Sequence, residues 1–162
     1  MDEKPQGNEP RASVLPIDDV MAKWARREAM EVEIRPINKA SILGALEASG
    51  IATVVIRFDG SGDSGQIEEI CAEDADGVSL QIPAVTLEVL ELPWGTDEPV
   101  PTPMNLAQAL EAEAYRLLAS THPGWENNDG AYGEFTFDVA AGVIRLDHSD
   151  RYVAIEQYDH EF

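Results

Sequence analysis

Ile56-Arg-Phe-Asp-Gly-Ser-Gly-Asp-Ser-Gly-Gln-Ile-Glu-Glu69 is the stretch that decides the fold. The run from Ile51 to Phe58 that enters it is dense in Val and Ile, which favour a largely buried strand. Asp59 to Gly65 contains only Asp, Gly and Ser, residues that tolerate turn dihedrals. Gln66 to Cys71 leaves as a second strand, with Glu68 and Glu69 between Ile67 and Ile70. That alternation is out of step by one residue and predicts a bulge. The whole reads as a hairpin between two hydrophobic strands.

Downstream, Asp74 to Gly77 is a turn and Val78 to Ile82 a third short strand, which makes an antiparallel meander. Residues 83–103 carry five prolines around Val85, Leu87, Val89, Leu90 and Leu92, and read as an extended arm followed by a long loop. Thr102-Pro103 is a helix start, with Leu106, Leu110, Ala114, Leu117 and Leu118 on one face to about Ser120. Phe135 and Phe137 alternate with polar residues, Ala141-Gly142 turns the chain, and Val143 to Asp147 and Tyr152 to Tyr158 follow as strands.

Upstream, a helix is expected from Pro16, with Met21 and Trp24 as core residues and Pro36 as its stop. Asn38 then caps a second helix with Ile42, Leu43 and Leu46 as its apolar stripe and Gly50 at its end. Residues 1–14 are too polar and too interrupted by Pro5, Gly7 and Pro10 to pack, and read as an arm. Residues 15–162 are expected to form one α+β domain, a mainly antiparallel sheet of about five to six strands covered by two to three helices.

The chain carries a formal charge of −20, unevenly placed. Residues 1–58 hold eight Lys/Arg and nine Asp/Glu, and residues 59–162 hold three and twenty-two. The second part therefore repels nucleic acid and anionic membranes, and attracts cations and basic proteins. Cys71 is the only cysteine, which leaves no intrachain disulfide and suits a reducing cytoplasm. The N-terminal residues lack the apolar stretch of a secretion signal, and no apolar run is long enough for a membrane span.

Three chemistries compete for the turn. Asp59, Ser61 and Asp63 alternate like calcium ligands, but Ser64 stands where an EF-hand needs Gly and Ile70 where it needs Glu. A looser site for Ca²⁺ or Mg²⁺ stays open, with Asp59, Asp63 and Asp129 as ligands and Glu68 or Asn128 completing it. Gly62-Asp-Ser64-Gly65 matches a serine-protease tetrapeptide, but His122, His148 and His160 all lie downstream of Ser64, in the wrong order. A phosphate cradle lacks a following Lys and would face two aspartates.

A second turn, Trp125-Glu-Asn-Asn-Asp-Gly-Ala-Tyr-Gly133, combines an aromatic, amides and glycines, as a recognition pocket or a plugged tight turn would. If the two turns meet, Asp59, Asp63, Ser64, Glu68, Trp125, Asn128, Asp129 and His148 form one candidate cluster.

The stretches Phe58-Asp-Gly-Ser-Gly-Asp-Ser-Gly-Gln-Ile-Glu68, Gly124-Trp-Glu-Asn-Asn-Asp-Gly-Ala-Tyr-Gly-Glu-Phe-Thr-Phe-Asp138 and Ile144-Arg-Leu-Asp-His148 resemble a bacterial family classed as a domain of unknown function. That family is associated with mobile elements such as plasmids and phages. The resemblance implies a small cytosolic α+β protein and brings no activity with it.

Two functions are expected on these grounds. The first is a non-enzymatic interaction protein whose acidic part engages a basic partner, such as a nucleic-acid-binding protein whose DNA path it occupies. The second is a divalent-cation-binding domain, with metal-assisted phosphoester hydrolysis as its natural chemistry.

Overall fold

The structure is a computed structural model and describes residues 16–162, so the arm expected at 1–14 lies outside the described residues. The expected hairpin is present. β1 (Thr53–Ser61) and β2 (Ser64–Glu73) pair antiparallel from Thr53↔Glu73 to Ser61↔Ser64. The register steps between Arg57↔Glu69 and Phe58↔Ile67, which leaves Glu68 as the extra residue of the predicted bulge. Tyr115 takes up the bulge: its hydroxyl accepts the Ile67 N–H at 3.0 Å.

β3 (Ser79–Leu80) flanks β2, and β6 (Ala131–Asp138) and β7 (Val143–Asp150) lie on the other side of β1. The sheet order is β3-β2-β1-β6-β7, and every pairing in it is antiparallel. The proline-rich segment is not an arm and a loop but a second ribbon, β4 (Thr86–Glu91) against β5 (Val100–Asn105). Pro101 and Pro103 are tolerated in β5 because a two-stranded ribbon has free edges that need no ladder donor. The helix after it, α2 (Leu106–Thr121), therefore starts later than Thr102-Pro103. Asn105 caps it in a capping box: its side chain accepts from the Gln108 N–H at 2.8 Å, and its own N–H donates back to the Gln108 side chain at 3.1 Å.

The two expected N-terminal helices are one, α1 (Ile17–Ala48), with Pro36 inside it. Pro36 removes one intrahelical donor. The buried residues Ile34, Asn38, Ile42 and Leu46 nonetheless keep a four-residue step across it, so one face packs without a break. Asn38 is thus a clamp rather than a cap. Its amide donates to the Leu90 carbonyl at 2.9 Å and accepts the Leu90 N–H at 2.8 Å, which ties α1 to β4.

Met21 and Trp24 are not core residues, since they are 66% and 68% exposed. The N-terminal half of α1 touches the ribbon tip instead, where Arg27 donates to the carbonyls of Leu92, Pro93 and Thr96. The expected strand at 152–158 is also absent: residues 151–162 have no regular structure, and Val153 and Ile155 stay exposed. A strand needs a ladder partner, and no described strand pairs with these residues.

The core lies on one face of the sheet. Val54, Ile56 and Phe58 of β1 and Phe135 and Phe137 of β6 pack against Ile42 and Leu46 of α1, Leu106, Leu110 and Leu118 of α2, and Val89 of the ribbon. Side chains of period two turn the alternate residues to the opposite face, which neither described helix covers. Among the described residues no helix is long and apolar enough to cross a membrane.

Candidate functional site

The hairpin turn is built by its backbone. Gly62 and Asp63 have φ of 59° and 65°, the left-handed pair that a two-residue type I′ turn requires. The loop between α2 and β6 docks directly on it. The Gly62 N–H donates to the Asn128 carbonyl at 3.0 Å, and the Asp63 N–H donates to the Glu126 carbonyl at 3.1 Å. The two turn-rich stretches therefore meet, and they meet through main chain.

Trp125 fills the space between them. Its indole lies over the Gly60↔Gly65 pair, where a Cβ on either glycine would overlap the ring. Its ring stands edge-on to Phe58, with centroids 5.4 Å apart and planes at 80°. Gly130 is forced by closer contact still, because a Cβ there would overlap the Gly60 carbonyl. The Gly and Asp content of both motifs thus serves a close backbone approach with an aromatic plug.

Among the described residues Asp59 is the only acid of the turn with a cationic partner. Arg151, the first residue after β7, donates to both its oxygens at 2.9 and 3.0 Å, and to the Gly60 carbonyl at 3.2 Å. The same guanidinium lies 4.7 Å from the centre of the Tyr132 ring. Hydrogen bonding to Asp59 raises the already high pKa of Arg151, so the guanidinium stays charged.

The other candidates fall into separate places. Asp63 occupies the turn itself, Ser64 pairs with Ser61, and Glu68 sits at the bulge, where it accepts from the Gln66 side chain at 2.9 Å. Asn128 is in the left-handed region at φ 56°, a conformation Asn tolerates, and Asp129 is exposed in the same loop. His148 is beneath the loop, with its side chain 5% exposed. It stacks on His122 at a centroid distance of 3.6 Å and on Phe58 at 5.7 Å, and its Nε2 meets Asp150 Oδ1 at 2.9 Å. Among the described residues no three of His, Cys, Asp and Glu stand close enough together to hold a metal ion. The ligand set Asp59, Asp63 and Asp129 is not assembled, and the Asp59 carboxylate is already occupied by Arg151.

The motifs did not point to Arg151, nor to a stacking role for His122, whereas Tyr132 stood within the second turn-rich stretch. Alternation along β6 puts Tyr132 on the face opposite Phe135 and Phe137, but only the β1–β6 register places it beside Asp59. Arg151 and His122 lie outside any strand and became neighbours of the turn only through folding.

The uncovered sheet face is the other feature of note. Asp59, Glu69, Glu73, Glu134, Asp138 and Asp147 share it with Arg57 and Arg145 by strand register. Arg57 lies between Glu69 and Glu134, and Arg145 reaches Asp138 at 3.6 Å. Beyond residue 58 the chain has three cations, Arg116, Arg145 and Arg151, and each is paired with a carboxylate. Asp97 pairs with Arg26, and Glu69 and Glu134 with Arg57; most of the other acids of the segment have no Lys or Arg partner among the described residues.

The model of a family of unknown function, DUF6878, matches residues 34–162. No curated protein matches the chain, and no solved structure does.

Proposed function

For this chain, which belongs to DUF6878, a family of unknown function, we propose a non-enzymatic role: its uncovered, acidic sheet face binds a basic protein. One observation carries the reading. Each of the three cations after residue 58 already has a carboxylate partner within the chain, while twenty-two acids stand in the same segment. The field they leave attracts a basic surface and speeds encounter with it. A nucleic-acid-binding protein presents such a surface, and occupying it would block the DNA path. Direct binding of nucleic acid is disfavoured by the same charge. The single cysteine supports a reducing, cytoplasmic setting. The bacterial and mobile-element association implied by the sequence resemblance belongs to this proposal too.

The test uses a labelled Arg/Lys-rich peptide and two triple variants of equal charge change. Glu69→Lys, Glu73→Lys and Glu134→Lys alter the sheet face. Glu88→Lys, Glu98→Lys and Glu111→Lys alter exposed acids elsewhere. Binding should weaken steadily with added salt, and the face variant should lose more than about tenfold while the control keeps most of its affinity. Salt-insensitive binding, or equal loss in both variants, would sink the reading.

A further inference from the structure

β7 is one edge of the five-stranded sheet, and no described strand pairs with its outer side. It offers eight residues of edge, against two in β3 at the opposite side. Such an edge is a template for another strand.

Its geometry fixes which backbone groups are free. In an antiparallel ladder, alternate residues direct N–H and C=O to the neighbour. The Arg151 N–H donates to the Gly130 carbonyl at 2.9 Å, and a Cβ on Gly133 would overlap the Asp147 carbonyl oxygen. Both observations turn the odd-numbered backbone groups toward β6. Those of Ile144, Leu146 and His148 then face the open edge.

We propose that this edge pairs with β7 of a second copy, antiparallel about a two-fold axis at Leu146, with Arg145 of each copy opposite Asp147 of the other. Charge selects the register. In one neighbouring register of the same parity Arg145 faces Arg145, and in the other Asp147 faces Asp147, both of them repulsive. In the chosen one Leu146 pairs with Leu146 and Ile144 with His148 through backbone hydrogen bonds. Arg145 and Asp147 then fall at the non-hydrogen-bonded positions, where side chains approach most closely. Within one copy Asp147 stands opposite Glu134, another acid, and among the described residues it has no cation partner. Arg145 of the second copy, which is 61% exposed and meets its own Asp138 only at 3.6 Å, supplies one while keeping that contact. The pairing leaves the uncovered sheet face free and makes it continuous across both copies.

The charge of −20 on each copy opposes association, so the test belongs near 0.15 M salt, where the screening length is about 8 Å. Sedimentation equilibrium of the full chain should show a monomer–dimer equilibrium. Arg145→Asp alone and Asp147→Arg alone should each give monomer, with circular dichroism confirming that they fold. The two together restore complementarity and should restore the dimer. Monomer at every concentration, a dimer indifferent to the single changes, or failure of the double variant to recover would each overturn the pairing. The readout is the mass of the protein alone, so it stands or falls separately from binding of the basic peptide.

Discussion

Arg151 closes on Asp59 with two hydrogen bonds of nearly equal length, 2.9 and 3.0 Å, across 92 positions of sequence. The pair ties the end of β7 to the β1–β2 hairpin and occupies the acid that looked most like a metal ligand. Asp59→Asn and Arg151→Ala should each lower the melting temperature. The double variant should fall little further than the worse single one, because both remove the same contact. Additive losses, measured in a double-mutant cycle by thermal unfolding, would show that the two residues act independently.

The turn cluster should respond to volume rather than charge. Trp125→Ala should cost about 3 kcal/mol, the low end for removing a large buried aromatic, because the indole is only partly buried. Gly130→Ala should cost more, above roughly 4 kcal/mol, since φ is 76° and the new Cβ would meet backbone that cannot move aside. Asp63→Asn should change little, because Asn tolerates the same left-handed conformation. Denaturant midpoints order the three, and a reversed order would count against the aromatic plug.

Glu113 sets a pH dependence. It is 1% exposed, and burial raises its pKa above the usual carboxylate range, although Arg116 at 2.6 Å and Arg35 pull the other way. A raised folded pKa means that the native state holds the proton more tightly than the unfolded chain. This contribution to stability is therefore greatest below the unfolded value, near pH 4.5 or so, and is lost as pH rises through the folded value. In Glu113→Gln that part of the slope should vanish. Equal slopes in wild type and variant as pH rises from the unfolded value would refute the assignment.

Cys71 should be a sluggish thiol. Its hydrogen bond to Glu69, and then desolvation, raise its pKa above the ordinary value, which leaves less thiolate at neutral pH. Alkylation by iodoacetamide should be slower than for an unstructured cysteine peptide, and Glu69→Gln should accelerate it. A variant that reacts no faster would mean that access, not ionisation, limits the rate.

Divalent cations give the sharpest contrast between the two functions that the turn suggested. With Asp59 held by Arg151, Ca²⁺ or Mg²⁺ added to chelator-treated protein at high salt should leave the melting temperature unchanged. A specific site filled at about 100 times its dissociation constant would add roughly 2.7 kcal/mol. A shift of that kind, abolished by Asp59→Asn with Asp63→Asn, would restore the cation reading.

Local chemistry made the hairpin, its bulge, the later strands β6 and β7 and the body of α2 legible from sequence alone. Each depends on near neighbours: β-branched runs, a two-residue turn, or a helical period of leucines. The α+β class followed from their order. The elements misread were those in which distant contacts outweighed a local signal. Pro36 stops a helix by local rules, but the stripe from Ile34 to Leu46 carries the helix past it. Prolines 101 and 103 argue against a strand, but β4 supplies a partner. Residues 152–158 have strand-like composition, but no described strand lies beside them. The site divides in the same way. The sequence displayed two motifs of turn residues and an acidic surplus, because composition and backbone preference are local properties. That the turns touch through backbone, that Trp125 lies on Gly60 and Gly65, and that Arg151 claims Asp59 depended on tertiary structure, because each joins residues far apart in the chain.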